Sequence, residues 1–279
     1  MTPDPLPVRA PVRAALVRRG SIGEFTDPAP RPPLQPDPVL RWARWGLLPL
    51  SSVMRVATDE PVVTLTYDDG PEPAETPELL DVLAKRGVRA TFFVLGDRVT
   101  AHPGIVRRML AEGHDVQLHG DDHADLTQVP AREAVRRLQD AKRCVEAVTG
   151  HRIRYYRPTY GAVNLPTFLG ARALGLDVVI WSAWAEDWFD APPQDVADRA
   201  VHALHPGAVV LLHDTTDQAS TPDGRVRPTF SRADVTRRIL DGADDAGYRT
   251  LPLSQLLDRY PPVRSLTFRR PRVRLPRAR

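Results

Sequence analysis

From residue 61 onward, short runs of β-branched and apolar residues alternate with longer amphipathic stretches. Strands are predicted at Val62–Thr66, Ala90–Leu95, Asp115–Leu118, Ile153–Arg157, Leu176–Trp181, Ala208–His213 and Tyr248–Leu251. Helices are predicted between them at Pro77–Arg86, Pro103–Glu112, Ala131–Val148, Pro166–Leu174, Asp195–Leu204 and Arg232–Ala246. A repeated strand–helix order predicts a parallel sheet, because parallel neighbours need a crossover connection. These seven strands favour an α/β fold, either an open sheet or a barrel one strand short of the usual eight.

Glycine follows five of the predicted helices, at Gly87, Gly113, Gly150, Gly175 and Gly247. Helices often end at a residue in the left-handed conformation, which glycine adopts without steric cost. These glycines therefore support the predicted helix ends.

The two ends of the chain differ in composition from the body between them. Residues 1–58 are rich in proline and arginine and are predicted to form an irregular extension. Residues 261–279 hold seven arginines and no acid, which predicts a basic tail after a folded domain at 59–260. The formal charge is +3 for the whole chain but −8 for residues 56–260. An acidic body argues against nucleic acid as a partner, whereas the basic ends favour contact with an anionic surface.

The sequence carries no pattern typical of a membrane span, an export signal or a disulfide framework. No window of eighteen consecutive residues is apolar, so no transmembrane segment is predicted. Arg13, Arg18 and Arg19 interrupt the early apolar stretch, so no cleaved signal is expected and the protein is expected in the cytoplasm. The single cysteine, Cys144, excludes an internal disulfide framework and a cysteine-based zinc site.

Polar and titratable residues gather where the predicted strands end and the helices begin. They are Asp68, Asp69, His119, His123, Arg157, Tyr160, Asp187 and His213. In parallel βα folds, the catalytic groups occupy this edge of the sheet. The pattern therefore predicts a functional site there.

His119 and His123 are four residues apart, and Asp68 and Asp69 end a neighbouring strand. At the start of a helix, the histidine spacing places both imidazoles on one face, within reach of one cation. Adjacent residues of an extended segment point in opposite directions, so one aspartate can bind a metal while the other faces a substrate. Two histidines and a carboxylate leave coordination positions open, as a catalytic metal site requires. Taken separately, the histidines are more often solvated side chains and Asp-Asp-Gly is more often a turn.

Hydrolysis at such a metal needs a general base and a general acid. Asp68 is the candidate base, and His213 is the candidate acid because histidine titrates in the right range. Arg157 beside these acids would hold Asp68 ionised and oriented. Alternatively, His213 is a strand-end histidine that bonds to the backbone, and Arg157 forms an ordinary ion pair with an acid of the core.

Five short motifs stand in order along the chain. They are Thr66–Pro71, the run from Gly113 through His119 to His123, Arg157–Gly161, Asp187–Trp188 and Leu211–His213. Together they resemble the motifs of the polysaccharide deacetylases, carbohydrate esterase family four, which include chitin, chitooligosaccharide and peptidoglycan deacetylases. The resemblance covers roughly residues 60–255.

The resemblance implies a distorted seven-stranded (β/α) barrel and one divalent metal ion held by Asp69, His119 and His123. Zinc is the expected ion, with Co²⁺, Ni²⁺ or Mn²⁺ as alternatives. It also implies removal of an N-acetyl group from an amino sugar or a related acetamide by attack of metal-bound water on the carbonyl. Asp68 would act as the base on that water, and His213 as the acid toward the departing amine.

The resemblance also assigns supporting roles. Arg157 would orient the base, and Asp187 would orient the acid. The main-chain N–H of Tyr160 would help to stabilise the oxyanion. Trp188 and Leu211 would line the pocket for the acetyl methyl group.

The chain departs from the family pattern at several positions around the proposed site, which are Gly120, Asp121, Asp122, Ala124, Thr159 and Trp184. None of these departures removes a proposed ligand or catalytic group. The two carboxylates between the histidines are either a contact for a cationic substrate or part of a solvated loop. Trp184 stands where many members have a second acid.

Three other functions are compatible with parts of the pattern. A non-haem iron oxygenase also uses two histidines and a carboxylate, but there the carboxylate usually lies close behind the first histidine. A hydrolase of small or cyclic amides in intracellular or biosynthetic metabolism would use the same fold. An inactive binding protein of this fold is the third. The substrate stays open among polymers, oligosaccharides, nucleotide sugars and other amides.

Overall fold

The computed structural model describes residues 15–17, 50–215 and 228–266. Its strands are β1 (Ala15–Val17), β2 (Ser52–Val56), β3 (Val62–Asp68), β4 (Thr91–Leu95), β5 (Asp115–Gly120), β6 (Tyr155–Tyr156), β7 (Asp177–Val178), β8 (Ala183–Trp184), β9 (Val209–His213), β10 (Arg249–Thr250) and β11 (Pro262–Ser265). Its helices are α1 (Thr76–Lys85), α2 (Gly96–Ala101), α3 (Pro103–Ala111), α4 (Ala131–Thr149), α5 (Leu165–Ala173), α6 (Pro193–His202), α7 (Arg232–Asp245) and α8 (Leu253–Arg259). Short 3-10 turns lie at Leu126–Gln128 and Thr159–Gly161.

The main sheet is parallel and curls into a half-barrel. Its strand order is β7-β6-β5-β4-β3-β9-β8, and β10 also pairs with β3. Every one of these pairings is parallel. The α/β barrel-like fold predicted from the strand–helix alternation is therefore confirmed, and each predicted strand has a counterpart in the sheet.

The five glycines expected at helix ends all adopt positive φ angles, between 63° and 80°. A side chain at such an angle is strained, whereas glycine is not. The helix ends predicted from these glycines are therefore confirmed.

Some apolar runs contribute less to the sheet than the sequence predicted. Only Asp177–Val178 of the predicted strand Leu176–Trp181 forms β7, because the N–H of Ile180 donates to the carbonyl of Val53 on β2 at 2.8 Å. Helix α2 was not predicted, since its six residues follow β4 directly and are too few to display a helical period.

Strands β2 and β11 lie outside the predicted domain 59–260, yet they belong to the packed body. They pair with each other in antiparallel fashion, and β1 pairs with β11 in parallel. Val53 and Met54 on β2 are fully buried. The guanidinium of Arg264 on β11 binds the carboxylate of Asp177 on β7. The packed body therefore begins and ends beyond the boundaries that composition suggested.

Most of the two chain ends, at residues 1–14, 18–49 and 267–279, lies outside the described residues. The irregular extension, the basic tail and its contact with an anionic surface therefore stay predictions. Within the part of the chain that the structure describes, no helix combines the length and apolar character needed to cross a membrane.

Side chains of the barrel strands alternate between two buried layers. On β9, Val210 and Leu212 belong to the larger apolar core, which packs against the helices. Leu211 belongs to a second cluster on the inner side of the half-barrel. Continuing this alternation, His213 faces inward at the end of β9, in register with Asp68 at the end of β3. The alternation of side chains along β9 thus places His213 at the mouth of the half-barrel, level with Asp68.

Candidate active site

The first motif ends strand β3 with two buried carboxylates that point in different directions. Asp68 is the last residue of β3, and Asp69 follows it with a φ of 81°, a left-handed conformation uncommon for residues other than glycine. Asp68 pairs with Arg157, whereas Asp69 faces two histidines. The turn therefore separates two neighbouring acids into two environments.

His119 and His123 approach Asp69 from β5 and from the loop that follows it. Their Nε2 atoms lie 3.3 and 3.2 Å from Asp69 Oδ1, and one ligand atom from each of the three residues lies within 4.8 Å of the others. The predicted placement of both histidines on a helix is wrong. Strand β5 continues to Gly120, and the next helical turn begins at Leu126, so an irregular loop carries the second histidine.

The three side chains fit a divalent cation. Asp69 Oδ1 is buried without a hydrogen-bond partner, although buried polar atoms nearly always have one. Two ligand atoms bound tetrahedrally at about 2.1 Å from one ion are about 3.4 Å apart, close to the spacing between Oδ1 and either imidazole. His119 Nδ1 lies 2.8 Å from the backbone carbonyl of Arg157, which leaves Nε2 to face Asp69. Such an outer hydrogen bond is typical of a metal-binding histidine.

Electrostatics favour the ionised form of the Asp69 carboxylate. Burial alone would raise the pKa of Asp69, but its interactions with His123 and His119 hold that pKa well below its usual range. An ionised carboxylate is the protonation state in which aspartate binds a metal.

Arg157 lies completely buried beneath the site. Its Nη1 donates to Asp68 Oδ1 and to Thr66 Oγ1, both at 2.7 Å. The guanidinium also covers the ring of Phe93, with Cζ 4.2 Å from the ring centroid. Burial lowers the pKa of Arg157, and the charge of Asp68 opposes that shift. These contacts fix the orientation of the Asp68 carboxylate.

His213, at the end of β9, is held by the buried carboxylate of Asp187. Its Nδ1 lies 2.8 Å from Asp187 Oδ1, and its backbone N–H donates to Asp187 Oδ2 at 2.8 Å. Burial lowers the pKa of His213, but Asp187, with smaller effects of Asp69 and Asp68, raises it to about 9. The imidazole is therefore protonated at neutral pH and has a proton to give.

Sequence reasoning missed Arg232, the second partner of Asp187. Its Nη1 donates to Asp187 Oδ2 at 3.0 Å and to the Asp187 carbonyl at 2.6 Å. It opens α7, outside all five motifs, so no local spacing marked it. Asp214 was also missed, although its place directly after His213 at a strand end is a signal that could have found it.

An apolar wall lies one layer below His213 on the inner side of the half-barrel. Leu211 is buried and stands opposite Trp184 in the register of β8 and β9. Trp184 and Trp188 pack against the same inner cluster, and the Trp188 ring meets the His213 ring edge-on at 5.8 Å. The two residues predicted to receive the acetyl methyl thus lie beside the candidate acid, and Trp184 adds a third apolar surface.

Tyr160 lies at the mouth of the half-barrel, in the 3-10 turn of the third motif. Its φ is 57°, and its ring meets His123 edge-on with centroids 4.5 Å apart. Its exposed fraction is 43%, which leaves the ring accessible from solvent. The ring of Tyr160 therefore lies beside the metal-ligand cluster, and the role of its main-chain N–H as an oxyanion donor stays a prediction.

Two positions that depart from the family pattern, Asp122 and Thr159, form hydrogen bonds that hold the loop after β5. Asp122 Oδ2 accepts a bond from Arg137 on α4 at 2.5 Å, and Thr159 Oγ1 donates to the carbonyl of Ala124 at 2.7 Å. The Asp122 charge is therefore already paired, although its side chain is 46% exposed, and Asp121 is exposed as well. Recognition of a cationic substrate by these acids stays a prediction.

The model of the polysaccharide deacetylase family matches residues 55–179 of this chain. The chain is 35% identical over 208 residues to the chitooligosaccharide deacetylase of Sinorhizobium fredii (strain NBRC 101917 / NGR234), an alignment that covers 73% of this chain and 96% of that relative. This chain belongs to the polysaccharide deacetylase family. The fold, the order of the five motifs and the histidine–aspartate cluster all agree with that membership.

The chain is also similar to the peptidoglycan-N-acetylmuramic acid deacetylase PdaC of Bacillus subtilis (strain 168). It is 34% identical over 201 residues, which is 72% of this chain but only 40% of PdaC. The solved structure of PdaC superposes with a TM-score of 0.62 at 33% identity, and the superposition covers 72% of this chain and 93% of the PdaC chain. A CE4 family pseudoenzyme from Bacillus anthracis shares the fold at a TM-score of 0.65 and 24% identity, over 74% of this chain and 68% of the pseudoenzyme.

Membership of the polysaccharide deacetylase family favours hydrolysis of an N-acetyl C–N bond over the oxygenase and cyclic-amide alternatives. A pseudoenzyme of the same fold means that architecture alone does not decide activity. The decision rests on the side chains. Here the predicted ligands, base, acid and their partners lie together at one edge of the sheet.

Proposed function

We propose that this chain removes the acetyl group from an N-acetylated amino sugar or a related acetamide, and releases acetate and a free amine. The observation that carries the proposal is the convergence of Asp69, His119 and His123 beside a candidate base, Asp68, and a candidate acid, His213. Relatives named as chitooligosaccharide and peptidoglycan deacetylases support an acetylated sugar chain as the substrate class.

We assign a single divalent cation to Asp69, His119 and His123, with zinc as the expected ion and Co²⁺, Ni²⁺ or Mn²⁺ as alternatives. The mixed nitrogen and oxygen donor set supports this assignment. When bound, such a cation supplies Lewis-acid stabilisation of negative charge and makes a water molecule more acidic.

Asp68 accepts the proton of the attacking water in this proposal. Arg157 donates to one of its oxygens and to Thr66, so the carboxylate is held in one orientation. A carboxylate held in this way is suited to general base catalysis.

His213 supplies the proton that the leaving nitrogen needs when the C–N bond breaks. Nδ1–H donates to Asp187, so Nε2 carries the proton for transfer. The amine then leaves neutral, and His213 regains its proton from solvent or from the base. Asp187 and Arg232 keep the imidazole in one orientation throughout.

The rest of the site positions the acyl group. The Tyr160 N–H stabilises the negative charge that develops on the carbonyl oxygen. Leu211, Trp188 and Trp184 surround the methyl group with apolar surface, which favours acetyl over charged acyl groups.

The alkaline limb of the pH–rate profile is expected to report His213. A general acid must be protonated, so kcat falls as pH rises through about 9. Replacing Asp187 with asparagine removes the carboxylate that raises the pKa of His213, so in D187N the alkaline limb moves to lower pH and kcat at neutral pH falls. The matched control is D190N, an exposed carboxylate that contacts Thr229 and leaves the limb in place. An alkaline limb at the same pH in D187N and the unsubstituted protein contradicts the assignment.

The proposed reaction is tested by acetate release from four substrate classes: acetylated chitooligosaccharides, peptidoglycan fragments, nucleotide-linked amino sugars and cyclic amides. The metal-replete protein is expected to release one acetate for each free amine formed from an acetylated sugar. Ring opening of a cyclic amide without acetate would support the small-amide hydrolase instead. No turnover of any class by the metal-replete chain would support an inactive binding protein.

A further inference from the structure

We infer that Asp214 is a positioning residue that holds the Asp69 turn in the orientation needed to bind the cation. The inference rests on the metal site of the proposed function. Asp214 is fully buried, lies outside the set of ligands and catalytic groups described above, and contacts the turn directly.

Asp214 contacts three separate segments through its carboxylate and its backbone. Its Oδ1 accepts the N–H of Gly70 at 2.8 Å, and its Oδ2 accepts the hydroxyl of Thr76 at 2.7 Å. Its own backbone N–H donates to the Asp68 carbonyl at 3.3 Å. Directly after β9, Asp214 therefore contacts the end of β3 through its backbone, and the turn and the first residue of α1 through its side chain.

The Gly70 position shows that the turn and this carboxylate are fitted to each other. A Cβ at Gly70 would lie 1.8 Å from Asp214 Oδ2, so only glycine leaves room for the carboxylate. The preceding residue, Asp69, has a φ of 81°, and a non-glycine residue keeps such a conformation only when its surroundings hold it. The bond from the Gly70 N–H to Asp214 is a contact that holds it.

Asp69 needs this external support because its ligand oxygen has none of its own. Oδ1 faces the two histidines and has no hydrogen-bond partner. In other metal sites, residues behind the ligands set the ligand orientation, and their loss weakens metal binding about 10–100-fold. A similar loss of metal affinity is expected here, because Asp214 holds the peptide unit that joins Asp69 to Gly70.

The test compares zinc binding by D214A, D214N and D115A with that of the unsubstituted chain, by competition with a chromophoric chelator. D214A loses the acceptor for the Gly70 N–H, and its zinc Kd is expected to rise about 10–100-fold. D214N keeps an oxygen at that place and is expected to bind within about threefold of the unsubstituted chain, a loss smaller than that of one hydrogen bond. The visible absorption of the Co²⁺-loaded proteins, which reports ligand geometry, is expected to change in D214A and not in D214N.

D115A is the matched control because Asp115 also accepts two hydrogen bonds, from Gln117 and from the Ser254 N–H, but at the opposite end of β5 from His119. It is expected to lower the melting temperature and to leave the zinc Kd unchanged. Equal zinc affinity in D214A and the unsubstituted chain overturns the inference, and so does an equal loss in D214A and D214N.

A D214A protein that does not fold is replaced by G70A, whose added methyl displaces the same carboxylate. An increased zinc Kd in G70A supports the inference, and an unchanged Kd overturns it. An unsubstituted chain that binds no zinc, Co²⁺, Ni²⁺ or Mn²⁺ refutes the proposed metal site. If the unsubstituted chain binds zinc tightly and the zinc Kd of D214A or G70A is unchanged, only the role of Asp214 is refuted.

Discussion

Replacing Asp68 with asparagine is expected to lower kcat for acetate release by about 10²–10⁴-fold while the metal stays bound. Asparagine has nearly the shape of aspartate but cannot take a proton from water. The ion is held by Asp69 and the two histidines, and Asp68 faces Arg157 instead. The expected signature of D68N is therefore a fall in kcat with little change in KM and with full metal content.

D68N also leaves the buried Arg157 charge without its carboxylate, which costs about 3–5 kcal/mol of stability in comparable sites. Kinetics are therefore measured below the melting temperature, with circular dichroism as a check on folding. The matched control is T66V, which removes the other acceptor of Arg157 Nη1 and the bond from Thr66 to the Val210 carbonyl, and keeps the base. Its kcat is expected to fall less than about tenfold, because only one of these two hydrogen bonds reaches Arg157. A kcat in D68N within tenfold of the unsubstituted enzyme would exclude Asp68 as the base.

Replacing His119 with alanine is expected to abolish both metal binding and acetate release. The substitution removes one of three ligands and also the contact between Nδ1 and the Arg157 carbonyl. The two remaining ligands, Asp69 and His123, provide too few donors for a site that must also leave a position open for substrate. Metal content after gel filtration and acetate release are measured on the same preparation.

The matched control for H119A is H114A, because His114 is a buried histidine just before β5 that has no contact with the cluster. Its Nδ1 accepts the N–H of Ala90 at 3.1 Å, so its loss is expected to lower stability. H114A is expected to keep the metal and most of the activity of the folded fraction. Stoichiometric metal in H119A would show that the ion is bound elsewhere.

The sheet was predictable from sequence because its central strands are buried on both faces. All seven residues of β3 are buried, so a continuous apolar and β-branched run marks it. The apolar runs at Ile153–Arg157 and Leu176–Trp181 predicted longer strands than the structure has, since β6 and β7 are only two residues long. An apolar run in the sequence identifies buried extended chain. Where a strand ends in the sheet depends on hydrogen bonds to neighbouring segments, such as the bond from Ile180 to Val53 on β2.

The site residues were predictable in position but not in local conformation. A four-residue spacing brings His119 and His123 together on a helix, and a strand end followed by a bent loop does the same. The intervening Gly120, Asp121 and Asp122 are residue types typical of turns. The spacing therefore identified the ligand pair without identifying the backbone that carries it.

The contacts of two supporting residues, Arg232 and Asp214, could not be predicted, because they join positions that are distant in sequence. Arg232 meets Asp187 across 45 residues, and Asp214 meets Gly70 across 144. No local periodicity or motif records such contacts, since they depend on how the ends of β3 and β9 pair. The motifs in the sequence therefore identified the ligands, the base, the acid and two partners, Arg157 and Asp187. The contacts of Arg232 and Asp214 became visible only in the fold.

The most direct test of the account is a zinc titration of the metal-free protein, with acetate release from an acetylated chitooligosaccharide as the readout. We predict that release rises in proportion to added zinc, reaches a plateau at a single equivalent per chain, and stays at background in D69A and H123A. Full acetate release from protein shown to contain no divalent ion, or from D69A, would contradict the account.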